Sequence, residues 1–160
     1  MMVRARFSQV FSVLLLCVGL AACESNNLDA PGLRGDAKPG TVQDFSVNVG
    51  DTVQFTVDSV QLSSSARGIL QRQAAWLKLY PQVTVEVQGH ADERGTREYN
   101  LALSAQRAEA VRSFLASQGV AANRMSVISF GKERPVATCD AESCWARNRR
   151  AVTAVSNTTG

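Results

Sequence analysis

The chain has 160 residues, 45% of them hydrophobic and 19% charged, with a formal net charge of +3. Those values allow one small globular domain and little more. Two of the cations lie in a leading segment, and no basic stripe with interleaved aromatics is visible, so a general nucleic-acid binder is excluded.

Residues 1–22 read as a secretion signal. Arg4 and Arg6 give a positive start, and residues 10–20 give an apolar core that falls short of the about 20 residues a membrane span needs. The segment closes on Leu20, Ala21, Ala22 and Cys23, which resembles the lipobox of bacterial lipoproteins. That resemblance makes Cys23 the lipidated first residue of the mature chain. Glu24, where an Asp would signal inner-membrane retention, implies the outer membrane. Residues 23–43 then form the lipidated Cys and a tether, with Pro31-Gly32, Gly35 and Pro39-Gly40 as repeated breakers. Such a segment spans about 25 Å root-mean-square.

The ordered domain is expected over residues 44–160. Phe45, Val47 and Val49 alternate with polar residues, Gly50-Asp51 is a two-residue turn, and Val53, Phe55 and Val57 alternate again, which predicts a β-hairpin. Ser63 to Ser65 offer an N-cap for a helix through Leu70, Trp76, Leu77 and Tyr80, stopped by Pro81. Residues 83–88 read as a central strand. After a polar loop containing Gly95, a long helix runs from about Arg97 to Gln118 and stops at Gly119. Residues 125–130 make another strand, a charged loop follows, and residues 151–155 make the last. Strands alternating with helices give an α/β class, in the order βαβαβ(α)β, with a mixed sheet and two main helices on one face.

The long helix carries an oddity. Its apolar face is expected from Leu103, Ala110, Val111, Phe114 and Leu115. Arg107 falls in the middle of that face, and Asn100 points the same way. A guanidinium there needs an anion, because an unpaired buried charge is too costly. Asp92, at the exit of the preceding strand, is the expected partner. The two form either a structural ion pair or the two halves of a site for a zwitterion.

The cysteines fit an oxidising compartment. Cys17 leaves with the signal and Cys23 takes the lipid, so Cys139 and Cys144 remain. A pair five apart in a secreted chain points to a small-loop disulfide. A zinc site would need two more ligands, and His90 is the only histidine. No metal and no cofactor are expected.

Gly89-His90-Ala91-Asp92-Glu93-Arg94-Gly95-Thr96, Tyr99-Asn100, Leu103-Ser104, Arg107-Ala108 and Asn148-Arg149-Arg150 together resemble the C-terminal domain of the outer-membrane protein A superfamily. The lipobox, the tether and the first of these runs resemble its lipid-anchored branch, the peptidoglycan-associated lipoproteins. The likeness covers about residues 53–155. It implies non-covalent binding of peptidoglycan through meso-diaminopimelate of the stem peptide, with Asp92 accepting from its ammonium and Arg107 forking onto its carboxylate. Thr96 and main-chain N–H groups at the helix start add donors. Asn100, Leu103 and Arg149 match pocket-lining positions, Gly95 lies in the same loop, and Phe55 and Asp58 border the groove. The second acid that many members carry near Asp58 is missing here. The resemblance also implies a protein of the outer membrane facing the periplasm. It implies TolB as a partner and a role in the Tol-Pal system of envelope integrity and cell division. The alternative is the same module independent of Tol.

An enzyme would need a zinc cluster, a Cys/His pair or separated catalytic carboxylates, and none is present in the sequence. His90 reads as a satisfied structural histidine. Glu93, Arg94, Arg97, Glu98 and residues 132–134 read as solvated charges, and Trp76 and Trp145 as core.

Overall fold

The computed structural model describes residues 37–157; the signal, Cys23 and most of the tether lie outside them. β2 (Val83–Gly89) organises the sheet. Its β-branched residues Val83, Val85 and Val87 are at most 2% exposed, while Glu86 between them is exposed, as the period of two requires. β3 (Met125–Ser129) lies parallel to it, from Val85↔Met125 to Gly89↔Ser129. β4 (Arg150–Asn157) lies antiparallel on its other side, from Val83↔Asn157 to Gly89↔Ala151. β1 (Thr52–Gln54) pairs antiparallel with the outer edge of β4, so the strand order is β1-β4-β2-β3. The last strand therefore sits inside the sheet.

A parallel pair needs a long crossover, and α3 (Arg97–Ser117) supplies it between β2 and β3. α2 (Ser64–Leu79) links β1 to β2, with Ser63 as N-cap accepting from the Ala66 N–H. Leu70 and Leu77 of α2, Val111 and Leu115 of α3, and the inward valines of the strands form one core cluster. Each such fully buried aliphatic side chain contributes about 1.5–3 kcal/mol. The α/β class, the mixed sheet and the two covering helices are as expected. A short α4 (Glu142–Asn148) precedes β4.

Two expectations are corrected. The hairpin does not form: Val42–Asp44 is a short helix, α1, and Phe45–Val49 is a π-helical turn. Asp44 and Phe45 are both buried, which a strand would prevent by sending neighbours to opposite faces. The Trp76 Nε1–H donates to Asp44 at 2.8 Å, and Phe45 meets the Trp76 ring edge-on at 4.9 Å. The second alternating run finds its partner in β4, about a hundred residues away in the chain.

The inward face of α3 is also rotated from the one expected. Its buried residues are Asn100, Ser104, Arg107, Ala108, Val111 and Leu115. The reason is Gly89, where a Cβ would stand 1.8 Å from the Ser104 carbonyl oxygen. Only small residues fit where α3 crosses β2, so Ser104 and Ala108 take the seam and Leu103 moves to its side.

Candidate functional site

The end of β2, the loop that follows and the first three turns of α3 meet the segment after β1 around a cavity of about 300 Å³. Val57, Asp58, Ala91, Asp92, Arg94, Gly95, Tyr99, Asn100, Leu103 and Arg107 line it. Six of the nine expected peptidoglycan contacts are among them: Asp58, Asp92, Gly95, Asn100, Leu103 and Arg107. The other three do not line it. Phe55 packs on the Arg107 guanidinium at 5.3 Å. Thr96 caps α3 by accepting from the Tyr99 N–H. Arg149 is buried and donates to Asp92 at 3.1 Å.

Asp92 and Arg107 share this cavity, but they do not form the expected ion pair. Arg107 is fully buried and donates to three main-chain carbonyls, those of Ser59 at 2.9 Å, His90 at 3.0 Å and Thr56 at 3.1 Å. Carbonyl dipoles thus replace the anion that its burial demands. Burial lowers its pKa to about 10 despite the nearby Asp92, and it stays cationic at neutral pH. Asp92 instead pairs with Arg94 at 2.8 Å and with Arg149. Burial pushes the Asp92 carboxyl up, but the hydrogen bonds from Arg94 and Arg149 outweigh it and hold the group below its ordinary value.

Asp58 has a positive φ of 51°, a backbone state that Asp tolerates better than most residues. Its carboxylate accepts from the Tyr99 hydroxyl. The cavity therefore presents two carboxylates and two guanidinium groups around a short apolar wall, an arrangement suited to a ligand carrying both signs of charge.

Arg94 and Tyr99 line the cavity although they are not among the expected contacts. Arg94 is no free loop charge: its guanidinium lies 4.2 Å over the Trp145 ring, and its own N–H donates to Asp92 two residues back. That two-residue spacing was the available signal, since Asp side chains bond the backbone two positions on. Tyr99 lies one turn before Leu103, on the same side of α3. Trp145 is half-buried outside the core and donates to Glu93 at 2.9 Å. Lys132 braces the loop by donating to the Glu93 and Gly95 carbonyls.

His90 is buried, 3% exposed, but it is not the satisfied residue expected. Neither ring nitrogen has a hydrogen-bond partner among the described residues. Its ring stacks on Phe130 at 5.3 Å. Burial first, then Arg150 and Arg134, lower its pKa to about 4. Cys139 and Cys144 are joined in a disulfide. Among the described residues no group of three or more His, Cys, Asp or Glu is placed to hold a metal ion, and no helix is long and apolar enough to cross a membrane.

A family model described as the OmpA family matches residues 54–149. A peptidoglycan-associated lipoprotein of Agrobacterium fabrum is 55% identical over 148 residues, 88% of this chain and 83% of the relative. The protein of that name from Brucella melitensis is 52% identical over 155 residues, 93% of this chain and 92% of the relative. The crystal structure of the peptidoglycan-associated lipoprotein from Burkholderia pseudomallei superposes with a TM-score of 0.68 at 41% identity, covering 72% of this chain and 100% of that one.

Proposed function

The chain belongs to the OmpA family and, within it, to the peptidoglycan-associated lipoproteins, a group of binding proteins and not of enzymes; on that premise we propose that it holds the outer membrane to the cell wall. A lipid on Cys23 anchors it, the domain faces the periplasm, and the cavity at Asp92 takes the free end of meso-diaminopimelate. One observation carries this reading: acid and base of the family motif line a single small cavity of mixed charge. The ligand's ammonium is directed to Asp92, with Asp58 near it. Its carboxylate is directed to Arg107, which the three carbonyls hold fixed, so no side-chain entropy is spent in orienting it. Affinity then comes from a pre-formed polar pocket and not from a large interface. The same family membership supports TolB as a partner and a place in the Tol-Pal system, checked by co-purification of TolB with the full chain.

The binding site is tested with the full chain in detergent micelles and purified sacculi, comparing walls that contain diaminopimelate with walls that contain lysine. Asp92→Asn keeps the shape of the carboxylate and removes its charge. It is expected to stay folded and to lose at least tenfold in binding to diaminopimelate walls alone. Arg107→Ala is expected to melt far lower, because it leaves the buried His90 carbonyl without its donor at about 1–3 kcal/mol and takes the same donor from the part-buried Ser59 and Thr56 carbonyls. Asp92→Asn retaining full binding would remove Asp92 from the site.

A further inference from the structure

Asp92 is already occupied from within the chain. It accepts the Arg94 main-chain N–H and Nε–H on Oδ1, both at 3.2 Å, the Arg94 guanidinium N–H on Oδ2 at 2.8 Å, and Arg149 on Oδ2 at 3.1 Å. An incoming ammonium would have to share a carboxylate whose side chain is only 10% exposed and surrounded by donors.

The two arginines differ in freedom. Arg149 is 5% exposed and pinned by Glu142 and by the Phe55 carbonyl at 3.2 Å. The Arg94 side chain is 40% exposed and has a second place to go. Its guanidinium lies on the Trp145 ring, and a Glu142 carboxylate oxygen stands 3.9 Å from the nitrogen that now holds Asp92. This second place is prebuilt. The Cys139–Cys144 disulfide closes around Glu142. Asn148 ties the end of α4 to the Val136 and Ala137 N–H groups and to the Ala137 carbonyl. Trp145 is oriented by its bond to Glu93.

Resting on the reading of the cavity as a diaminopimelate site, we propose that Arg94 is a specificity-determining residue, an internal cation that occupies Asp92 and yields it to the ligand's ammonium by moving toward Glu142 on the Trp145 face. The guanidinium is a tethered competitor with a high local concentration. A simple amine gains too little at Asp92 to displace it. A ligand whose carboxylate engages Arg107 at the same time gains enough. Selectivity for a zwitterion thus comes from the cost of displacing Arg94 as well as from contacts to both charges. Glu142 lowers that cost by receiving the displaced cation, and acts as a positioning residue.

The test is calorimetric titration of the full chain in detergent micelles with meso-diaminopimelate and with cadaverine, a diamine that lacks carboxylates. Wild type is expected to bind diaminopimelate and not cadaverine. Arg94→Gln is expected to bind diaminopimelate several-fold more tightly and to gain binding of cadaverine. Glu142→Gln is expected to weaken diaminopimelate binding several-fold when Arg94 is present, and less than twofold in the Arg94→Gln protein. That dependence would not arise from a merely structural role. Weaker diaminopimelate binding by Arg94→Gln, or affinities unchanged in all variants, overturns the inference and leaves the cavity's function standing. No binding by either wild type or Arg94→Gln brings down the reading of the cavity itself, and the inference with it.

Discussion

Burial and two flanking guanidinium groups keep the His90 imidazole neutral down to about pH 4. An unfolded chain takes up the proton near the ordinary value of 6.5, so protonation favours the unfolded state. The sign follows: the neutral ring's contribution is complete above pH 6.5 and is lost progressively as pH falls from there to about 4. The loss should total about 3 kcal/mol. His90 is the only histidine, and among the described residues the carboxyl groups of Asp92, Glu109 and Glu142 are lowered from 4.5 or less. The fall between pH 6.5 and 5 therefore belongs to His90. Chemical denaturation at a series of pH values should show it in wild type and not in His90→Phe, which keeps the stack on Phe130; an equal slope in both would assign the titration elsewhere. The cost of charging this ring was not visible in the sequence, where a histidine at a strand end reads as satisfied. Arg107 was visible as a cation on an inward face, but its partners were not. Sequence patterns mark side-chain anions, and any residue can supply a carbonyl, so Thr56, Ser59 and His90 carried no signal.

At the scale of elements, α2, β2, α3 and β3 were legible because capping residues, terminal glycines and long periodic runs agree with one another. Five-residue alternation before Gly50 was not decisive, and the contact of Asp44 and Phe45 with Trp76 overrode it. The seam between β2 and α3 is the feature that places the cavity, since it sets how far the start of α3 stands from the strand end bearing Asp92. Gly89→Ala puts a Cβ against the Ser104 backbone at 1.8 Å and against the Ala108 Cβ at 3.3 Å. No flexible side chain is there to move, so α3 must shift bodily. Overpacking of this kind costs about 1–3 kcal/mol or more. Thermal denaturation of Gly89→Ala should show a clearly lowered Tm, and the folded fraction should bind diaminopimelate walls more weakly than wild type. Unchanged stability would mean that the seam is loose and that small residues at 89, 104 and 108 are not what fixes the helix.

For the whole molecule, the proposed role demands two attachments on one chain, a lipid at one end of the tether and a wall ligand in the domain. The tether read from the sequence, about twenty residues long, implies a reach of about 25 Å root-mean-square, so the two attachments should act as independent events in series. Breaking either should therefore leave the other intact. Cys23→Ser removes the thiol proposed to carry the lipid. In fractionated cells this variant is expected in the soluble periplasmic fraction, while its domain, purified without detergent, binds diaminopimelate sacculi as tightly as wild type. Asp92→Asn is expected to do the reverse: it stays with the outer membrane and no longer co-sediments with sacculi after the membrane is dissolved. Each variant should loosen the envelope to a similar degree, measured by release of outer-membrane vesicles, because a link in series fails when either end does. The double variant should add little to either single one. An additive phenotype would mean that the two ends serve separate functions, and a Cys23→Ser protein still held at the outer membrane would require an anchor other than lipid.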